Sequence, residues 1–226
     1  MERQKKITAD GSHTIFESDI DVTYHSVYGA IQESRHVYIR FGLQYMIRQR
    51  DTASINILEI GFGTGLNALL TLEATEETQL NIHYHAIEPF PLSEQERAGL
   101  NYCTVLHRPD LALPFEHMHT AAWNKPVAIS PRFTLCRYCT TLQQFQPSKL
   151  FNLVYYDAFA PTVQPQLWTI ETFKEMFNCI EPGGSIVTYC SKGAVRRALT
   201  DAGFSVEKMP GPAHKREMIR AVKPKE

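Results

Sequence analysis

Ile55-Asn56-Ile57-Leu58-Glu59-Ile60-Gly61-Phe62-Gly63-Thr64-Gly65-Leu66-Asn67-Ala68-Leu69-Leu70 is the stretch whose reading decides the fold. Ile55–Ile60 has the pattern of a buried strand, three glycines follow, and Leu66 begins a helical pattern. Strand, glycines and helix in that order give such a motif its meaning. Glycines open backbone conformations closed to other residues and let a ligand approach the main chain. The helix amino end points N–H groups at whatever binds there. The spacing is GxGxG, whereas the dinucleotide fingerprint is GxGxxG, which argues against an NAD-dependent oxidoreductase. The next predicted strand, Ile82–Glu88, ends in an acid 23 residues after Gly65. A carboxylate there can accept both ribose hydroxyls of a bound nucleoside. Glu59 is a candidate partner for the ammonium of an amino-acid end. The plain alternative is a tight turn with a surface Glu88; the acid at this spacing favours a site.

Working outward, apolar runs alternate with helical patterns, the sign of βα units and a mostly parallel sheet. Strands are predicted at Ile55–Ile60, Ile82–Glu88, Phe133–Cys136, Leu150–Tyr156, Ser185–Cys190, Phe204–Met209 and Met218–Val222, a seven-stranded sheet. Helices are expected near Arg35–Gln49, Gly65–Glu76, Ser93–Leu106, Ile170–Ile180 and Ala194–Ala202. Ser93-Glu-Gln-Glu96 has the capping-box pattern and Thr169 suits an N-cap. Glu181-Pro182-Gly183-Gly184 reads as a turn into a strand. Residues 1–54 are too long to be only a tail. They read as an N-terminal extension packed on the sheet, ahead of a binding domain over 55–226. The class is α/β and Rossmann-like, and its ligand, carrying both a ribose and an amino-acid end, reads as S-adenosylmethionine.

Composition sets the bounds. The 226 residues are 43% hydrophobic and 21% charged with net charge −1, ordinary for one sizeable globular unit. Met1–Asp10 is polar with no apolar run behind it, and no stretch approaches the roughly 20 apolar residues of a membrane span. A cytoplasmic location follows as the expectation, with no membrane partner. The five cysteines read as reduced thiols. Cys136-Arg-Tyr-Cys139 lacks a second matching pair, and His83/His85 and His117/His119 lack fitting neighbours, so packing is favoured over a metal.

A second signature is Leu150-Phe-Asn-Leu-Val-Tyr-Tyr-Asp157-Ala-Phe159-Ala-Pro161. A strand ends in an acid and breaks, and the carboxyl ends of parallel strands carry the site. Asp157 should therefore lie near Gly61, Gly63, Gly65 and Glu88. Phe159 can stack on a planar substrate and Pro161 stiffens the loop. The alternative is an Asp that merely caps a helix.

Here the chain resembles a specific family. Asp157-Ala-Phe-Ala-Pro161 with Leu167-Trp168-Thr169, Ser191-Lys-Gly-Ala-Val-Arg-Arg197 with Ala202-Gly-Phe204, and Gly211 with Lys215-Arg-Glu-Met218 look like the methyltransferase domain of MnmC-type tRNA-modifying enzymes. Gly61-Phe-Gly-Thr-Gly-Leu-Asn67, Thr23-Tyr24-His-Ser26 and Glu33-Ser-Arg-His-Val-Tyr-Ile39 fit the same pattern, so the resemblance runs from about Ser18 to Val222. It implies a class I S-adenosylmethionine-dependent fold and N-methylation of the 5-aminomethyl group of wobble (2-thio)uridine in tRNA. It also implies that Tyr24, Gly61–Gly65, Glu88 and Asp157 occupy cofactor or catalytic positions. Two departures stand out. No second Rossmann motif follows, so the chain resembles stand-alone members and would depend on a separate enzyme for the aminomethyl-uridine. The acid often found near the third strand's end is replaced by Cys136-Arg-Tyr-Cys-Thr, leaving backbone groups or Tyr138 to meet adenine.

The expected chemistry is methyl transfer to an amine, with Asp157 receiving or relaying the proton or orienting the amine. From Lys192 to Glu226 nine Lys and Arg face four acids, and Lys192, Arg196, Arg197, Lys215 and Arg216 are candidate phosphate contacts. The alternative there is a solvated helix face. Two rival functions remain: a methyltransferase for a small-molecule or protein amine, and a non-catalytic RNA-binding relic.

Overall fold

The computed structural model describes residues 2–50 and 52–225. The chain opens with a small antiparallel sheet of β1 (Arg3–Ile7), β2 (His13–Glu17) and β3 (Val22–Thr23). A long helix follows in three consecutive segments: α1 (Ala30–Ser34), a π-helical stretch (Arg35–Leu43) and α2 (Gln44–Gln49). Then come β4 (Ser54–Ile60), α3 (Leu66–Thr75), β5 (Asn81–Ile87), α4 (Glu94–Arg97), α5 (Tyr102–Val105) and α6 (Ala112–Thr120). The chain continues through β6 (Pro126–Ser130), β7 (Phe133–Tyr138), β8 (Phe151–Tyr156), α7 (Ile170–Cys179), β9 (Ile180–Thr188), α8 (Gly193–Asp201), β10 (Ser205–Pro210) and β11 (Glu217–Val222).

The main sheet has the order β10-β11-β9-β8-β4-β5-β7-β6. β7, β5, β4, β8 and β9 run parallel, while β11 is antiparallel to both of its neighbours. All seven strands expected from the sequence form. An eighth, β6, pairs antiparallel on the β7 edge. Its short Val127-Ala-Ile run is half-exposed and gives no period to recognise. The predicted turn at Glu181–Gly184 instead lies within β9, where Phe151 pairs with Ile180 but Leu153 with Ser185, so the intervening residues bulge. The helix expected over Ser93–Leu106 is split at Gly99 into α4 and α5. The capping box at Ser93 and Glu96 forms, and the Thr169 side chain caps α7.

The parallel strands are covered on both faces, as their near-continuous apolarity requires. One core lies between the sheet and the long helix with α3, α5 and α6, and the other lies under α7 and α8. Gly42 lets the long helix sit close to the sheet: a Cβ there would stand 2.9 Å from Val187 Cγ2 and 3.3 Å from Tyr155 Cε1. That seating brings Tyr38, one turn earlier, against Tyr155 with ring centroids 5.1 Å apart. The β1–β3 sheet is tied to the α4 and α5 region. The Lys5 ammonium donates to the Ala98 carbonyl, and His13 N donates to Asn101 Oδ1 at 2.8 Å. No helix among the described residues is long and apolar enough to cross a membrane.

The tight seating of the helix makes a specific prediction. Gly42→Ala should lower the free energy of unfolding by about 1–3 kcal/mol through overpacking, measured in urea titrations. A gain in stability, as helix propensity alone would give, would contradict the packing described.

Candidate active site

Strand register brings three turns to one place. Ile60 at the end of β4 pairs with Ile87 of β5 on one side and with Tyr156 of β8 on the other. The next residues, Gly61, Glu88 and Asp157, therefore leave the sheet at the same level. This is the carboxyl edge beside β4, where the order of strands switches direction. A cavity of about 480 Å³ opens there, walled by the glycine turn, Glu88, Asp157, Phe159 and the β1–β3 segment with Arg3, Glu17 and Tyr24. Its size is within the roughly 300–1,000 Å³ usual for small-molecule sites.

The glycine turn is held from several sides. Gly61, Gly63 and Gly65 have φ of 90°, 51° and 74°, the left-handed region that favours glycine. A Cβ on Gly61 would meet the Asp157 carbonyl oxygen at 3.0 Å. Gly61 N and Phe62 N both donate to the Ile87 carbonyl, at 3.0 and 3.2 Å. His119 Nε2 lies 3.0 Å from the Thr64 carbonyl, and its ring packs edge-on against Phe62 and Phe115. Burial pushes His119 down to about 4, so the ring is neutral near pH 7 and donates to that carbonyl. The His117/His119 spacing reads as packing, and this brace is the packing it serves.

Glu88 is buried and joins the turn to the cavity. Its Oε2 accepts from Gly63 N at 2.9 Å and its Oε1 from Phe90 N at 2.8 Å. Burial raises its pKa, while the two amide donors and Arg3 pull the other way. Each oxygen keeps a lone pair, so the carboxylate can still accept a diol from the cavity. Tyr24 stands at the same wall, edge-on to Phe159 with centroids 5.2 Å apart, and the Arg3 guanidinium lies 5.9 Å from its ring centre. Arg3 is itself bound to Glu17 at 2.7 Å.

Asp157 sits half-buried in the wall. The Tyr38 hydroxyl donates to its Oδ1 at 2.5 Å and Asn67 Nδ2 to its Oδ2 at 2.8 Å. Burial pushes its carboxyl up to about 7; the two donors and Lys215 oppose that rise, and Glu33 adds to it. The same Asn67 nitrogen donates to Glu59 Oε1 at 2.9 Å.

Glu59 corrects its sequence reading. It is fully buried behind the turn and does not line the cavity. Strand alternation turns it into the interior, where burial holds its carboxyl well above the usual range. It anchors Asn67, and Asn67 reaches the cavity in its place. Asn67 Oδ1 is buried with no hydrogen-bond partner among the described residues, an acceptor awaiting a donor. An ammonium group would meet that demand, so this site fits the amino-acid end of the expected cofactor.

Other candidates fall outside the cavity. Pro161 stands off it. Tyr138 is turned toward His85, its hydroxyl 3.0 Å from Nδ1, and Thr141, Leu142 and Gln143 wall that end instead. Lys192, Arg196, Arg197 and Arg216 are exposed and form no ion pair among the described residues. Lys215 is turned inward: its Nζ is 2.5 Å from Glu33 Oε1 and 4.4 Å from the centre of the Tyr189 ring. It is therefore no free phosphate contact, because a buried carboxylate needs its charge. Lys208 and Arg220 pair with Glu217 and Glu207, and Lys223 Nζ donates to the Phe177 and Ile180 carbonyls, which narrows the basic surface to the start of α8, Arg216 and Lys225. Glu226, counted with that segment, lies outside the described residues.

Comparison with known proteins agrees with this geometry. Residues 128–224 match the family described as S-adenosyl-L-methionine-dependent methyltransferase. The crystal structure of MNMC2 from Aquifex aeolicus is similar with a TM-score of 0.79 and 24% identity, covering 100% of this chain and 71% of that one. The sugar N-methyltransferase KedS8 from Streptoalloteichus sp. ATCC 53650 is similar with a TM-score of 0.50 and 11% identity, covering 86% and 87%. At these identities both structures speak to the fold, which is the Rossmann-like class I arrangement expected from the sequence. The family match spans residues 128–224, less than half of the chain, and the fold is shared along its whole length.

Proposed function

We propose that the methyl acceptor is an amine, the exocyclic 5-aminomethyl group of a wobble (2-thio)uridine in tRNA, and that the product is 5-methylaminomethyluridine. The observation that carries this reading is the carboxyl of Asp157. It stands at the cavity wall, is aimed by Tyr38 and Asn67, and is pushed up to about 7. The resemblance between Ser18 and Val222 supplies the tRNA base.

Bound S-adenosylmethionine supplies a methyl group activated by its sulfonium sulfur. On this reading Glu88 accepts the ribose hydroxyls, Asn67 Oδ1 takes the ammonium, and Gly61 and Gly63 let the cofactor lie against the backbone, while Gly65 packs behind the turn. Tyr24 and Phe159 flank the methyl and the incoming base. An alkylammonium has no lone pair to donate, so it must lose a proton before the nitrogen–carbon bond forms. A carboxylate with a pKa near neutrality is suited to accept that proton. Its two fixed donors leave one lone pair on each oxygen for the amine. Orientation of amine and methyl in line supplies much of the rate gain. Lys192, Arg196, Arg197 and Arg216 would track tRNA phosphates. The aminomethyl group must be installed on the uridine before this step, which makes the enzyme that installs it a functional partner.

Two measurements test the reading. Incubation with labelled S-adenosylmethionine and tRNA from cells lacking this activity should place label in 5-methylaminomethyluridine. Label in a different nucleoside, or in a small-molecule or protein amine alone, would overturn the acceptor. Separately, Tyr38→Phe removes a donor that favours the ionised form, so the Asp157 carboxyl, followed by carbon NMR, should titrate above about 7. An unchanged or lowered midpoint would show that Tyr38 does not set its charge.

A further inference from the structure

Tyr28 and His214 stack face to face at the surface, with ring centroids 4.0 Å apart and planes 26° from parallel. Tyr28 is 50% exposed, and neither ring takes part in the site described above. Tyr28 also lines a groove of about 1090 Å³, more than twice the volume of the cavity beside Asp157. Gln32, His36 and Arg40 of the long helix line one side, and Pro212 and Ala213 of the β10–β11 loop line the other.

The loop is held in place independently of any ligand. Lys215 pairs with Glu33, and His36 Nε2 lies 2.8 Å from the Pro210 carbonyl. A short path also joins the stack to Asp157. Lys215, next to His214, lies over the Tyr189 ring, and the Tyr189 hydroxyl donates to the carbonyl of Ala158 at 2.9 Å.

Charge identifies the occupant. The acids bordering the groove are engaged: Glu73 with Arg35 at 2.8 Å, and Asp10 with Gln32 N at 2.9 Å and Ser12 N at 3.0 Å. Arg40, on the groove wall, is exposed and forms no ion pair among the described residues. A preset aromatic face on a groove that also carries an unpaired cation fits a planar, anionic ligand. Single-stranded RNA has both properties, because every base presents a π-face and every link a phosphate.

We propose that this groove binds an unpaired nucleotide flanking the methylated uridine, its base on the Tyr28–His214 stack and its phosphate near Arg40. The inference rests on the tRNA reading and names the part of the anticodon loop that the enzyme grips outside the reacting base. The groove orders the loop; Asp157 and the cofactor cavity act on the acceptor.

Steady-state methylation of tRNA by wild type, Tyr28→Ala, His214→Ala and Tyr28→Phe tests this, with S-adenosylmethionine affinity measured alongside to report on the fold. Both alanine variants should raise KM for tRNA about tenfold, within the range for loss of one base stack, with cofactor affinity unchanged. Tyr28→Phe should restore wild-type KM. An active wild type whose tRNA KM stays within twofold in both alanine variants would overturn the groove alone. A wild type inert toward tRNA would overturn the acceptor reading and the groove with it.

Discussion

Two donors from different parts of the chain converge on one carboxylate, and the rest of the site is arranged around that meeting. Tyr38 comes from the π-helical stretch over the sheet, Asn67 from the first turn of α3, and Asp157 from the end of β8. Asn67 also binds Glu59, at the end of β4. A buried polar group without a partner costs about 1–3 kcal/mol, so each of these contacts constrains the element that carries it. The helix must sit close on β8 and β9, which Gly42 permits, and α3 must start where the glycine turn delivers it. The network is nonetheless incomplete. Asn67 Oδ1 and Glu59 Oε2 lack partners among the described residues. A cationic ligand end at Asn67 would satisfy the first, so the polarity that positions Asp157 also prepares the cavity for a cofactor.

The N-terminal segment completes the cavity on the opposite side. The β1–β3 sheet is a wall of the site: Arg3 and Glu17 pair behind Tyr24, and Tyr24 packs on Phe159. The same segment leads into the long helix that carries Tyr38. The first fifty residues thus contribute to both ends of the cavity, one through an aromatic edge and the other through a hydroxyl.

Much of this was legible before any coordinates. The glycine turn, Glu88 and Asp157 each end a strongly apolar strand, and strand ends in a parallel sheet have one destination. Seven strands could be read because their apolar runs are long; β6 could not, because its Val127-Ala-Ile run is short and half-exposed. What escaped was three-dimensional satisfaction. Glu59 looked like a ligand residue from its place before the glycines, yet alternation along β4 turns it into the core. Asn67 looked like one more polar residue in a motif, yet it lines the cavity where Glu59 does not. Lys215 counted toward a basic surface in one dimension and neutralises Glu33 in three. The roles of Tyr38 and His119 could not be read locally, because their partners lie more than fifty residues away.

On the proposed mechanism Asp157 is a charged, oriented proton acceptor, and its surroundings set when it is charged. Single-turnover methyl transfer measured from pH 5.5 to 8.5 (roughly spanning the expected midpoint) in wild type and Asp157→Asn, with cofactor affinity determined in each, tests it most directly. The wild-type rate should rise with pH through a step near 7 as the carboxyl ionises, and the Asn variant should bind cofactor but lose that step and nearly all transfer. An Asn variant that transfers at the wild-type rate, or a wild-type rate without the step, would contradict it.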